Sequence, residues 1–232
     1  MKVKNLLKVV GQALQDYQMV SDGDVLWVGI SGSCKSFLAL LFLFFRQRYV
    51  PIRYQLRPVH VMVPGEREEN VKNWYRAFQE RWGLPDLEVL PFPQEGMTFY
   101  KKAPRQAILQ VLIHQVGVSG NKIVLGDCLE DITLSALAAL FYHRSWRVLL
   151  PHALLNRGVS LLRPLAYFSE KKLLRYADNE KIVFFREQRA HGPGKQKLAS
   201  FVSQFRSLTP QPLLQVFAAF RHPKKEYFLL DE

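Results

Sequence analysis

The sequence is poor in cysteine, with only Cys34 and Cys128 among 232 residues. Two thiols exclude a disulfide framework, and no CxxC pair offers itself to zinc or to a cluster. Both sit among apolar neighbours and are read as reduced thiols. Long apolar runs are missing as well. The longest, Phe37 to Phe45, covers nine residues, whereas a bilayer-spanning helix needs about 20. The opening Met1-Lys2-Val3-Lys4-Asn5 leads into amphipathic sequence and is not read as a secretory signal. A cytoplasmic protein with no membrane partner is therefore expected. Acid is scarce relative to base. Asp plus Glu is 20 against 32 Lys plus Arg, a formal net charge of +12, so a polyanion such as nucleic acid is the expected partner. Repeats and low-complexity tracts are absent.

What remains is ordinary globular composition, 48% apolar and 22% charged, enough for one sizeable core with a small appendage. Val3, Leu6, Leu7, Val10, Ala13, Leu14 and Tyr17 recur at helical spacing. Ser21 to Asp24 breaks that pattern. Val25 to Ile30 is a nearly continuous apolar run, the signature of a strand buried on both faces. The loop Ser31-Gly32-Ser33-Cys34-Lys35-Ser36 follows, then a helix from Phe37 to about Arg48. Strands are predicted at 59–63, 87–90 and 122–125, and helices at 66–82, 104–116 and 129–142. This alternation predicts an α/β fold with a mostly parallel, helix-covered sheet. From Arg186 to Lys225 there are eight Lys/Arg and one acid, Glu187. The expected organisation is an α/β domain at 1–185 and a basic helical tail at 186–232.

Three places could carry chemistry. In the first, Ser31 to Ser36 joins a strand to a helix. There a helix start offers free N–H groups to an anion, small residues admit a phosphate, serines add donors, and Lys35 adds charge. The GxxxxGK[ST] and GxGxxG spacings are both absent. A plain tight turn with serine as N-cap is the competing explanation. The second is Leu125-Gly126-Asp127-Cys128-Leu129-Glu130-Asp131, with three carboxylates at a helix start. Asp127 and Asp131, four apart, could flank a magnesium ion beside a triphosphate, while Glu130 is read as serving the helix dipole. The third is Arg163, after the apolar Leu161-Leu162 and fixed by Pro164, within reach of a phosphate. His60 lies inside a predicted strand and is read as a packed residue.

Taken in order, these segments resemble the PP-loop ATP pyrophosphatase superfamily, and within it the tRNA 2-thiocytidine synthetase family. Ser31 to Ser36 falls where that family has SGGxDS, Leu125 to Asp131 where it has LGHxxDD, and Arg163-Pro164-Leu165-Ala166-Tyr167, with Glu170 and Arg175-Tyr176-Ala177, on its RPL segment and following helix. The resemblance implies a parallel five-stranded sheet with helices on both faces. It also implies ATP and magnesium as cofactors, adenylation of a tRNA base carbonyl, displacement of AMP by sulfur, and an iron–sulfur cluster on cysteines. Carried over by position, Lys35 and Asp131 are the candidate catalytic residues. Ser31, Gly32, Ser33, Ser36, Gly126, Asp127 and Arg163 form the candidate nucleotide-binding set, and no metal ligand is assigned.

The sequence departs from that pattern at Ser33 for the second glycine, Lys35 for the aspartate and Asp127 for the histidine. The family's CxxC would fall near Thr98 and Lys101, and a later cysteine near Phe184 to Gln188. The expectation is a degenerate relative that binds tRNA or other RNA, keeps ATP as a candidate ligand, opposes Mg²⁺ through Lys35 and lacks an iron–sulfur cluster, with thiolation lost or altered. The alternatives are an active, cluster-independent tRNA-modifying enzyme that uses Lys35 as phosphate clamp, and a non-catalytic partner subunit of an active homologue. A homo-oligomer is compatible with all three, since the aromatic residues could serve a dimer face or stack bases.

Overall fold

The computed structural model describes residues 3–63, 65–119, 122–143, 149–155, 158–185, 193–204 and 211–221. The chain divides into two compact units, Met1–Cys128 with Pro151–Gln188, and Leu129–Leu150 with Arg189–Glu232.

The first unit is built on a sheet of β1 (Val25–Gly29), β2 (Gln55–Val61), β3 (Glu88–Leu90), β4 (Lys122–Val124), β5 (His152–Leu154) and β6 (Ser160–Leu162). Their order across the sheet is β3-β2-β1-β4-β6-β5. All pairings are parallel except β5 with β6. The α/β class is as expected, but the sheet has six strands rather than five. The extra one is the short antiparallel edge strand β5, which turns back along β6.

Alternation along the strands sorts the core into two layers. Leu26 and Val28 of β1, Val124 of β4 and Leu162 of β6 face one layer. That layer is filled by α1 (Val3–Asp16), α2 (Cys34–Arg46) and α7 (Glu170–Asn179). Trp27, Ile123 and Leu161 face the other, where Leu112 and Val116 of α5 (Pro104–Ser119) pack. Helix α2 is apolar nearly all round because it lies on the sheet and also packs against α1 and α7. Helices α3 (Glu68–Trp82) and α4 (Met97–Lys102) complete this unit.

Strand β2 begins four residues before the predicted start, and Pro58 explains why. Gln55 N–H bonds Asp24 O and Met62 N–H bonds Leu90 O, so even-numbered residues of β2 point their nitrogens toward β3. Pairing with β3 starts only at Val59↔Glu88. The donor that Pro58 lacks would have faced the unpaired side, so the strand tolerates it.

The second unit contains α6 (Leu129–His143), α8 (Pro193–Gln204) and α9 (Pro212–Arg221). Both later helices pack on α6, with Leu198, Val202 and Phe217 buried. Helices α8 and α9 fall within the stretch read as a basic tail, and they share their unit with α6, which lies before residue 186. Arg186, Arg189, Arg206, Lys224 and Lys225 lie outside the described residues. Among the described residues no helix is long and apolar enough to cross a membrane.

Candidate functional site

Parallel strands deliver their carboxyl ends to one edge, where ligands bind in open α/β sheets. Three neighbouring strands do so here. β1 leads into Ser31–Ser36, β4 into Gly126 and Asp127, and β6 into Arg163. Short backbone bonds hold each exit to a neighbour in the sheet: Ile30 N–H to Val59 O of β2 at 2.7 Å, Leu125 N–H to Leu162 O of β6 at 2.9 Å and Arg163 N–H to Pro151 O, just before β5, at 2.7 Å.

In the first exit, three serine hydroxyls converge. Ser31 Oγ lies 2.9 Å from Ser33 Oγ and donates to Ser36 Oγ at 3.0 Å. Ser36 Oγ accepts from Ser31 N–H and donates to Ser33 O, both at 3.1 Å. Ser33 occupies the N-cap position of α2, yet its side chain makes no cap hydrogen bond. The simple N-cap explanation of this loop therefore does not hold. Gly32 has φ +81°, a left-handed conformation costly for any other residue at that bend.

Gly126 sets the width of the cradle. A Cβ on it would stand 2.5 Å from the carbonyl carbon of Lys35 and 2.6 Å from the Ser36 nitrogen. Only a residue without a side chain lets β4's exit come this close to the start of α2.

Asp127 is buried and gathers two guanidinium groups. Arg163 Nε donates to Oδ2 at 2.9 Å, and Arg105 on the first turn of α5 pairs with Oδ1. Arg163 is 4% exposed, whereas the Arg105 side chain is 54% exposed. Burial pushes the Arg163 guanidinium below its ordinary range, and Asp127 opposes that shift. Arg105 escaped the sequence reading, because nothing in its local pattern ties it to a partner 22 residues away. Its one signal was its place beside Pro104 at a helix start.

Lys35, in the first turn of α2, reaches α7, with Nζ 3.3 Å from Glu170 Oε1. The pair is mostly shielded, at 15% and 25% side-chain exposure. Asp127 lies in the loop before α6 rather than on it. Glu130 and Asp131 fall in the first turn of α6, in the second unit, and Asp131 is buried. His60 is packed as expected, with Nδ1 donating to Ile30 O at 2.7 Å and Nε2 3.1 Å from Glu66 Oε2. Burial pushes the Cys34 thiol up to about 12, with Lys35 opposing the shift. Among the described residues no group of three or more His, Cys, Asp or Glu could hold a metal ion.

No family model matches the chain. The tRNA-cytidine(32) 2-sulfurtransferase of Psychrobacter sp. is 32% identical over 187 residues, which cover 75% of this chain and 49% of that relative. The enzyme of the same name from Acinetobacter baylyi is 28% identical, covering 77% of this chain and 62% of its own. The solved U34-tRNA thiolase NcsA of Methanococcus maripaludis superposes with a TM-score of 0.69 at 12% identity, over 93% of this chain and 77% of that one. The chain is similar to these two tRNA-cytidine(32) 2-sulfurtransferases over about three quarters of its length and shares the fold of NcsA. It is a relative of tRNA-modifying enzymes, and it spans about half to under two thirds of the length of these two curated relatives.

The cofactor expectation, with no iron–sulfur cluster, is overturned by NcsA, a thiolase of this fold that is described with its 4Fe–4S cluster. The two cysteines of this sequence do not by themselves make up the three or four thiolates of such a group.

Proposed function

We propose that this chain binds tRNA and an adenine nucleotide on the PP-loop scaffold, with the thiolation chemistry of its relatives lost or altered. The observation that carries this is the charge at position 35. Where the resembled family has an acid, an ammonium group stands 3.3 Å from Glu170. A nucleotide phosphate placed on the serine cradle meets hydroxyl donors, the N–H groups of the first turn of α2 and the Lys35 cation. Such a site neutralises phosphate charge with a side chain in place of a carboxylate. Glu170 balances Lys35 until the anion arrives.

The test is calorimetric titration with ATP and AMP, paired with an assay for AMP release from ATP in the presence of tRNA, on wild type and Lys35→Ala. Both nucleotides should bind wild type, and tRNA should elicit no robust AMP release. Lys35→Ala should weaken ATP by roughly ten- to a hundredfold, the worth of one charge-assisted hydrogen bond. Robust tRNA-dependent turnover that vanishes in Lys35→Ala would make the chain an active enzyme with Lys35 as phosphate clamp. Absence of any nucleotide affinity would make it an interaction subunit.

A further inference from the structure

The α4–α5 junction borders the cradle and has no role so far. Helix α5 runs back from the carboxyl edge of the sheet to feed β4, so its start lies at the same edge as the serine loop. Two pairings fix the placement. Arg105 pairs with Asp127, and the neighbouring Gly126 lies against the backbone of Lys35 and Ser36. From Met97 to Ala107 the sequence holds Lys101, Lys102 and Arg105 and no acid. All three basic residues are exposed. An aromatic ring accompanies them, since Phe99 is 39% exposed. Tyr100 is turned instead onto Phe92, with centroids 5.1 Å apart. This is the stretch where the resembled family would carry its CxxC pair.

We propose that the strip Phe99-Lys101-Lys102-Arg105 is an RNA-docking surface, which takes backbone phosphates on its three cations and stacks an unpaired base on Phe99. The inference rests on the tRNA reading above and specifies where the RNA is held. Two exposed lysines with no acid in the sequence between Met97 and Ala107, beside an arginine paired with Asp127, suit a polyanion. The flat exposed ring among them distinguishes an RNA strand from an acidic protein segment, because single-stranded bases stack on aromatic rings beside basic grooves. Arg105 can leave Asp127 for a phosphate, because Asp127 keeps its buried partner Arg163.

The experiment measures tRNA affinity of the full chain by fluorescence anisotropy across salt concentrations, with ATP titrations on the same proteins. The variants are Lys101→Ala/Lys102→Ala/Arg105→Ala, Lys101→Glu/Lys102→Glu and Phe99→Ala. Removing one cation from a phosphate should lower the slope of log affinity against log salt by about 0.7–0.9. The triple variant should therefore lose about two to three units of slope, and the Lys101→Glu/Lys102→Glu variant should keep wild-type ATP affinity. Phe99→Ala should weaken tRNA about fivefold or more at unchanged slope. The Lys101→Glu/Lys102→Glu variant leaves the Arg105–Asp127 pair intact and serves if the triple variant unfolds. Wild-type tRNA binding with unchanged affinity and slope in the lysine and phenylalanine variants would overturn the proposal. So would a parallel loss of ATP affinity in the lysine variant. A wild type that binds no tRNA at all would remove the tRNA reading itself, and this proposal with it.

Discussion

Asp127 holds two arginines of opposite exposure, and their removal should have unequal consequences. Replacing Asp127 by leucine strands the Arg163 guanidinium, which is 4% exposed. A buried charge deprived of its partner costs about 3–5 kcal/mol. At a urea dependence of about 2–3 kcal/mol per molar, the unfolding midpoint should fall by about 1–2.5 M. Arg163→Met should cost less, because Arg105 still neutralises Asp127. Arg105→Ala should cost at most about 1 kcal/mol, since a pair with one half-exposed member is screened by water. The double variant Asp127→Leu/Arg163→Met removes both buried charges and should be more stable than Asp127→Leu alone. Urea unfolding followed by tryptophan fluorescence and by far-ultraviolet circular dichroism reads all four proteins. An Arg105→Ala midpoint as low as that of Asp127→Leu, or a double variant as unstable as the sum of its singles, would refute the division into one structural and one releasable arginine.

Gly126→Ala should drive a methyl group into the backbone at Lys35, a separation about 1 Å too short. Overpacking of this kind costs about 1–3 kcal/mol and should abolish ATP binding in calorimetry even where circular dichroism still shows a folded chain. Gly32→Ala should cost about 1–2 kcal/mol through its left-handed backbone, measurable as a lower thermal midpoint. Cys34 should resist Ellman's reagent at pH 8 in the native chain and react on unfolding. Its thiol ionises from an ordinary value of 9.0 in the unfolded chain but stays protonated to about 12 in the folded one. Stability from this group is therefore complete below pH 9 and lost as pH rises toward 12, by about 4 kcal/mol at 1.36 kcal/mol per unit. The stability difference between wild type and Cys34→Ala should be constant below pH 9 and change only in that alkaline window.

The central strands and the helices around them were legible because each is an apolar run or stripe long enough to show its period. β1 stands out between Asp24 and Ser31, and α2 between the serine loop and Arg48. β5 was not legible. Three residues show no period, and Leu154 is exposed even though it pairs in the sheet. The first half of β2 was hidden by Pro58, whose harmlessness depends on which neighbour its nitrogen faces. At the site, the cradle residues Ser31, Gly32, Ser33, Ser36 and Gly126 could be named because glycine and serine after a strand mark close backbone approach. The partners of the charged residues could not. Lys35 meets Glu170 across 135 positions and Asp127 meets Arg163 across 36, and charge alone does not say which acid a lysine will find once the chain folds.

The close approach at Gly126 has a consequence for how this loop can change over time. The gap between the two segments is gauged by main chain against main chain, so its dimensions do not depend on which side chains the loop carries. Positions 33 and 35, which are not buried, can therefore exchange acid, base or neutral groups while the scaffold keeps its span. Inheritance can rewrite the chemistry of the mouth and leave its calibre untouched.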